Sequence, residues 1–139
     1  MIVADTGAVL ALVDADDRHH SALLELYQHD PGAWLLPWAI LPELDYLLRT
    51  HLGAGAARLF LRDVATGAFM VEWGAASDLT RARELDELYA DLNLGLVDAV
   101  VMAVAERIGA RAIATLDVRH FGAVKLKGMP SLWPRDAHR

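Results

Sequence analysis

The sequence predicts an α/β domain of three layers, α/β/α, around a central mostly parallel sheet of four to five strands. Three observations carry that expectation. Short apolar runs such as Ile2-Val3-Ala4 and Ala112-Ile113-Ala114 lack the alternation of a one-faced strand, so they read as strands buried on both faces. Between them lie stretches whose apolar residues recur at helical spacing, and clusters of glycine and proline mark the changes of pattern. Strand and helix in alternation imply right-handed crossovers and a sheet covered on both sides.

The first strand is the run Met1 to Ala4, ended by Asp5 and Thr6. In open parallel sheets ligands bind beyond the carboxyl ends of the strands, which is where these two polar residues fall. The alternative is that Thr6 only N-caps the helix predicted over Gly7 to Val13, with Asp5 adding charge near its positive end. A second helix is expected from Arg18 to Gln28, with Ala22, Leu23, Leu26 and Tyr27 at helical spacing and His29-Asp30-Pro31-Gly32 as its stop. The pair His19-His20 makes a poor chelate, because adjacent residues of a helix point about 100° apart.

Trp34-Leu35-Leu36 is the second strand, stopped by Pro37. The next helix carries Ile40, Glu43, Leu44, Leu47 and Leu48 on or near one face, which sets Glu43 among apolar neighbours; a solvated helix edge is the alternative. Asp45 precedes Arg49 by one turn, the spacing of a surface ion pair. Gly53-Ala54-Gly55 separates this helix from one over Ala56 to Ala65, and without a preceding strand or a third glycine it is not a dinucleotide loop. Arg58 and Arg62 form a basic edge there.

Ala68-Phe69-Met70-Val71 is the third strand. An amphipathic helix is expected from Ser77 to Leu92, with Leu85, Leu88, Tyr89 and Leu92 inward and a start capped by Ser77-Asp78. The helix from Leu94 to Ala105 is the most informative. Asp98 is its only charge before Glu106, and its neighbours one turn on are Val101 and Met102. A carboxylate on an apolar face is costly unless it is paired, hydrogen-bonded or bound to a metal. A capping role near Gly95 would not require so apolar a helix. The fourth strand, Ala112 to Thr115, is followed by Asp117, and Leu132-Trp133 adds an edge strand between Pro130 and Pro134.

Composition bounds the rest. The 139 residues are read as a single domain over 1–134 with a C-terminal tail, 135–139, expected to fray. The 55% hydrophobic and 23% charged residues suit a packed core. With no cysteine, disulfides, zinc-thiolate sites and cysteine nucleophiles are excluded. The longest uncharged stretch, Pro31 to Pro42, has 12 residues, too few to span a membrane. Asp5 breaks the opening run and no basic leader precedes it, so a signal peptide is not expected and the location is taken as cytoplasmic. A net charge of −6 argues against simple electrostatic adhesion to nucleic acid, yet metal ions in an acidic cluster reverse the local field that a phosphate meets.

Asp5 and Asp117 fall at the same edge of the predicted sheet, and Glu43 and Asp98 lie early in helices, so all four acids are placed to converge. Two unit charges about 4 Å apart repel by roughly 4 kcal/mol at an effective dielectric of 20. Such a quartet requires protons or cations. Hard divalent cations prefer oxygen ligands, and magnesium combines carboxylates with substrate phosphate oxygens, which makes a phosphodiester the natural substrate. Asp5 is the expected central ligand, supported by Asp98, Asp117 and Glu43, with Thr6 and Thr115 placing a water or phosphate oxygen. No P-loop, HExxH motif or nucleophile elbow offers another route.

Val3-Ala4-Asp5-Thr6-Gly7, Pro42-Glu43-Leu44, Leu96-Val97-Asp98-Ala99 and Thr115-Leu116-Asp117-Val118-Arg119-His120-Phe121 together resemble the PIN domain, specifically the VapC-type toxin ribonucleases of toxin-antitoxin pairs. The resemblance covers essentially the whole chain. It implies a metal-dependent endoribonuclease using Mg2+, with Mn2+ as an option, in which Asp5, Glu43, Asp98 and Asp117 match the acidic quartet and Thr6 its frequent Ser/Thr neighbour. It also implies an RNA substrate, a homodimer, and a hetero-oligomer with a VapB-like antitoxin whose tail obstructs the site. Gly7 stands where serine is common and Pro42 where a small residue is usual. For His120 and Phe121 a structural role is expected. The rival readings are a catalytically silent PIN-like module that binds RNA or protein, which the intact quartet disfavours, and aspartyl phosphotransfer, which would want a second acid where Gly7 stands.

Overall fold

The structure is a computed structural model that describes residues 1–138; Arg139 lies outside the described residues. Its strands are β1 (Ile2–Ala4), β2 (Trp34–Pro37), β3 (Met70–Glu72), β4 (Ala112–Ala114) and β5 (Ser131–Trp133). They form one sheet in the order β3-β2-β1-β4-β5, and every pairing is parallel. Seven α-helices connect them: α1 (Thr6–Val13), α2 (His20–His29), α3 (Ile40–Leu52), α4 (Ala54–Ala65), α5 (Ala76–Leu88), α6 (Gly95–Ile108) and α7 (Val118–Ala123).

This strand order determines where the helices go. The chain moves one way along the sheet from β1 through β2 to β3, then crosses back to β4 and continues to β5. Right-handed crossovers in opposite directions put their helices on opposite faces. Accordingly α1 packs on α2 and α3, and α3 on α4, while α5 packs on α6. The direction reverses between β1 and β4, whose carboxyl ends therefore border a crevice, the usual ligand position in such sheets.

The central strands are buried along their whole length, β1, β2 and β4 alike, as their unbroken apolar runs predict. In α6 every residue from Ala99 to Ala105 is buried, so this helix lies in the core, against β1 and β2. Pro37 does not stop β2 but closes it: the last strand position loses only one donor, and the N–H of Trp38 continues the ladder to Glu72 O at 2.9 Å.

Elsewhere the boundaries and faces shift for local reasons. Asp5, not Thr6, is the N-cap of α1, its carboxylate accepting from the Thr6 N–H at 2.8 Å. Gly53, at φ 91°, alone separates α3 from α4. The third strand starts at Met70 rather than Ala68, because Gly67 (φ 84°) turns the chain so that Ala68 N–H donates to Asp63 O, 2.8 Å, and Gly67 N–H to Val64 O. That closes the end of α4 before extension begins.

The stretch expected as one helix to Leu92 ends at Leu88 and continues as a single 3-10 turn over Ala90–Leu92. Leu88 is 70% exposed, because the buried stripe of α5 runs through Asp78, Ala82 and Leu85, and Leu88 lies roughly 90° around the helix from the mean direction of Ala82 and Leu85. Ala22 is exposed as well, while Leu23 is fully buried. The tail expected to fray is tied to β5: Asp136 N–H donates to Leu132 O at 2.7 Å, and its carboxylate accepts from Leu132 N–H at 3.2 Å.

Candidate active site

A cleft of about 390 Å³ opens at the carboxyl ends of β1 and β4, lined by Asp5, Thr6, Glu43, Asp98 and Asp117 with Gly7, Leu47 and Leu116. Four elements deliver the four acids. Asp5 leaves β1, its own N–H still bonded to Ala114 O of β4 at 2.8 Å. Asp98 stands in the first turn of α6, Asp117 N-caps α7 just beyond β4, and Glu43 stands in the first turn of α3.

Asp5 is the most constrained of them. It is 6% exposed; Oδ1 accepts from Thr6 N–H and Oδ2 from the Thr115 hydroxyl at 3.0 Å. Burial pushes its carboxyl up to about 7, with the charges of Asp98 and Glu43 adding to the rise and the two hydrogen bonds opposing it. Asp98 is half-buried, and burial raises its carboxyl too; the hydrogen bond with His120 opposes that rise, and the charges of Asp117 and Glu43 add to it. It does not cap its helix, since the Gly95 N–H donates to Asp86 instead, at 3.3 Å.

Thr115 is turned to the acids rather than to open space. Its hydroxyl proton goes to Asp5, and its oxygen accepts the Asp117 N–H at 3.0 Å, so one side chain ties the Asp5 carboxylate to the Asp117 backbone. Thr6 differs. It is 4% exposed, it lines the cleft, and its hydroxyl oxygen has no hydrogen-bond partner. A buried hydroxyl left unsatisfied costs about 1–3 kcal/mol, which a bound water or ligand oxygen would remove.

Glu43 borders the cleft but is exposed, not set among apolar neighbours. Ile40, Leu44 and Leu48 form the buried stripe of α3 at four-residue spacing, and Glu43 stands beside it. Gly7 has open space where a Cβ would be, so the glycine answers no steric demand. Phe121 is in the core, as expected of its motif. His120 turns the other way: its Nδ1 is 2.8 Å from Asp98 Oδ2 and 3.1 Å from Asp117 Oδ2. Nothing about His120 in the sequence separates it from its structural neighbour Phe121 except that, three residues beyond an N-cap, it faces the same end of the helix as Asp117. The His19-His20 pair is split as expected, His20 Nδ1 meeting Ala11 O and His19 meeting Arg18.

Among the described residues no arginine neutralises this cleft. Among the described residues, arginine pairs with Asp45, Glu72, Asp78, Glu84, Glu87, Glu106 and Asp136, all acids outside it. Hard oxygen donors, uncompensated charge and an orphaned buried hydroxyl together fit a divalent cation.

The sequence matches the PIN domain family over residues 2–126. The chain belongs to that family. Its PIN domain is 34% identical, over 124 residues, to Ribonuclease VapC26 of Mycobacterium tuberculosis, a match covering 89% of this chain and 92% of that protein. Among solved structures it superposes with TM-score 0.80 on the sarcin-ricin loop cleaving toxin VapC20 of Mycobacterium tuberculosis, at 23% identity, covering 92% of this chain and 98% of that one. VapBC2 from Rickettsia felis, solved bound to a promoter DNA fragment, gives TM-score 0.69 at 16% identity with 95% and 97% coverage. FitAcB from Neisseria gonorrhoeae gives 0.64 at 13%, with 95% and 96%. The all-parallel five-stranded sheet flanked by helices is therefore a PIN-type fold.

Proposed function

We propose that this PIN domain is a metal-dependent endoribonuclease that hydrolyses RNA phosphodiester bonds and acts as the toxin of a toxin-antitoxin pair. The observation that carries the reading is the convergence of Asp5, Glu43, Asp98 and Asp117 from four elements on one cleft, with no arginine partner among the described residues. The 34% identity to a VapC ribonuclease over nearly the whole chain supports the choice of RNA.

Asp5 and Asp98 hold the central cation, Asp117 and Glu43 complete the ring of charge, and the free hydroxyl of Thr6 places a water or a phosphate oxygen. Thr115 orients Asp5 and Asp117 through its two hydrogen bonds. A bound Mg2+ or Mn2+ supplies a water of lowered pKa and stabilises charge on the leaving oxygen. The raised carboxyl of Asp5 means that loading the site displaces a proton from it near neutral pH. The partners on this reading are RNA, a VapB-like antitoxin and a second copy of the chain. The antitoxin is supported by the likeness to chains of two toxin-antitoxin assemblies, and the RNA substrate suits a cytoplasmic location.

The test is cleavage of total cellular RNA by the purified protein, freed of antitoxin, with Mg2+ or Mn2+, beside Asp5→Asn and Asp98→Asn. Metal-dependent cuts by the unaltered protein alone are expected. Equal cleavage by all three proteins would refute catalysis at this cleft, and RNA retention without cleavage by any would favour a silent binding module.

A further inference from the structure

One edge of the cleft holds a nitrogen donor among the oxygens. His120 Nδ1 lies 2.8 Å from Asp98 Oδ2 and 3.1 Å from Asp117 Oδ2, and the ligand atoms of all three lie within 4.8 Å of one another. The backbone enforces this arrangement. Asp117 uses Oδ1 to accept the His120 N–H at 3.0 Å as it caps α7, which leaves Oδ2 facing the ring three residues on. Asp98 comes from a separate element, α6, so two helices close the set.

The separations suit coordination. Cis donors around a six-coordinate ion with bonds of about 2.1 Å are about 3.0 Å apart, the bond length times the square root of two. Both observed edges agree with that. A single imidazole proton satisfies one of the two flanking carboxylates well and the other poorly, whereas a cation in their midst satisfies all three donors. An independent sign of a ligand is the buried Thr6 hydroxyl on the same cleft, which has no partner among the described residues.

We propose that Asp98, Asp117 and His120 Nδ1 form a nitrogen-bearing cation position beside the oxygen-only position at Asp5, with Asp98 shared, and that it takes a first-row transition dication in preference to magnesium. The proposal rests on the reading of the cleft as a metal centre. Magnesium keeps oxygen ligands and waters, whereas imidazole suits the transition ions. In that state the ring carries its proton on Nε2 and turns the Nδ1 lone pair to the metal. His120 is then a ligand rather than a packing residue.

Mn2+ alone, added to the chelator-treated full chain, is the probe, read by pulsed electron paramagnetic resonance and by binding titration. A directly bonded 14N should modulate the Mn2+ echo of the unaltered protein, and histidine-selective 15N labelling should replace that coupling with the 15N one without any substitution. In His120→Gln the coupling should vanish and Mn2+ affinity fall roughly tenfold or more, with Mg2+ affinity changed much less. Bound Mn2+ with no histidine nitrogen coupling, and unchanged affinity in His120→Gln, would overturn the proposal while leaving the metal centre standing. Absence of any Mn2+ site sensitive to Asp98→Asn would remove both.

Discussion

The two ends of α6 carry acids of opposite fate. Glu106, near its carboxyl end, has a side chain only 5% exposed, yet its carboxyl is held below the usual range: burial alone would raise it, and hydrogen bonds from Arg81 and from the Lys127 N–H outweigh that. Asp98, near the amino end, is less buried and shifts the other way: burial raises its carboxyl, the hydrogen bond with His120 opposes that without outweighing it, and the charges of Asp117 and Glu43 add to the rise. Nearby, Arg107 bonds Asp78 at 2.7 Å and also pairs with Glu72, joining α5, α6 and β3. Burial therefore does not separate the acids of the cleft from Glu106 and Asp78; their arginine partners do.

Replacing one acid of the cleft and one arginine-paired acid should separate the two kinds by the largest margin. Asp5→Asn, at the centre of the unpaired set, should lower RNA cleavage on the order of 10³-fold, the several kcal/mol a metal site contributes to the transition state. It should not destabilise the metal-free protein at pH 8, since a buried charge is removed. Glu106→Gln should do the reverse, costing about 2 kcal/mol of stability through its hydrogen bonds to Arg81 and Lys127, with cleavage by the folded protein unchanged. Thermal unfolding and single-turnover cleavage of both variants decide the matter, and a destabilised Asp5→Asn with normal cleavage would erase the distinction.

The next effect is on pH. Asp5 has a folded-state pKa of about 7 against 3.8 in the unfolded chain, so between those values the folded state holds the extra proton. Stability from that source is lost as pH rises from about 4 to about 7. Asp98 and His120 are also raised, the first by burial and the second by its bond to Asp98, and they act in the same direction. The metal-free protein should therefore melt several degrees higher at pH 5.5 than at pH 8, and saturating Mn2+ should abolish or reverse that difference. Asp5→Asn should flatten the slope. A metal-free Tm that rises through this interval would contradict the reading of an uncompensated cleft.

Much of this was legible in the sequence, and the physical reasons for success and failure differ residue by residue. Asp98 stood out because a lone charge in an apolar helix demands a partner, and β1 and β4 because continuous apolar runs imply cover on both faces. Glu43 reaches the cleft for a different reason from the apolar setting its spacing predicts: it is exposed, and only its position beside the Ile40, Leu44, Leu48 stripe brings it there. Leu88 is exposed because the buried stripe of α5 runs through Asp78, Ala82 and Leu85 and passes it by, and the run to Leu92 breaks after it because helical spacing does not mark where a helix stops. Thr115 and His120 depend on which way a side chain turns at the end of a strand and the start of a short helix, and periodicity does not contain that information. For Glu43→Gln the exposure argues for a smaller loss than at Asp5, roughly tenfold in cleavage with stability unchanged.

The smallest effect is expected on α3, beside Glu43. Asp45 is two residues further along and equally acidic, but Arg49 Nε sits 2.9 Å from its carboxylate, one turn away. Both members of that pair are over 40% exposed, so solvent screens them and the pair contributes about 0.5 kcal/mol or less. Asp45→Asn should leave cleavage and Mn2+ affinity unaltered and shift Tm by no more than a degree or two. Glu43 and Asp45 share a helix, a charge and an aqueous surface; they differ in that one lines the cleft with Asp5, Asp98 and Asp117 and the other meets an arginine. If Asp45→Asn impaired cleavage as much as Glu43→Gln, negative charge anywhere along α3 would suffice, and the arginine criterion would fail on the helix where it is easiest to apply.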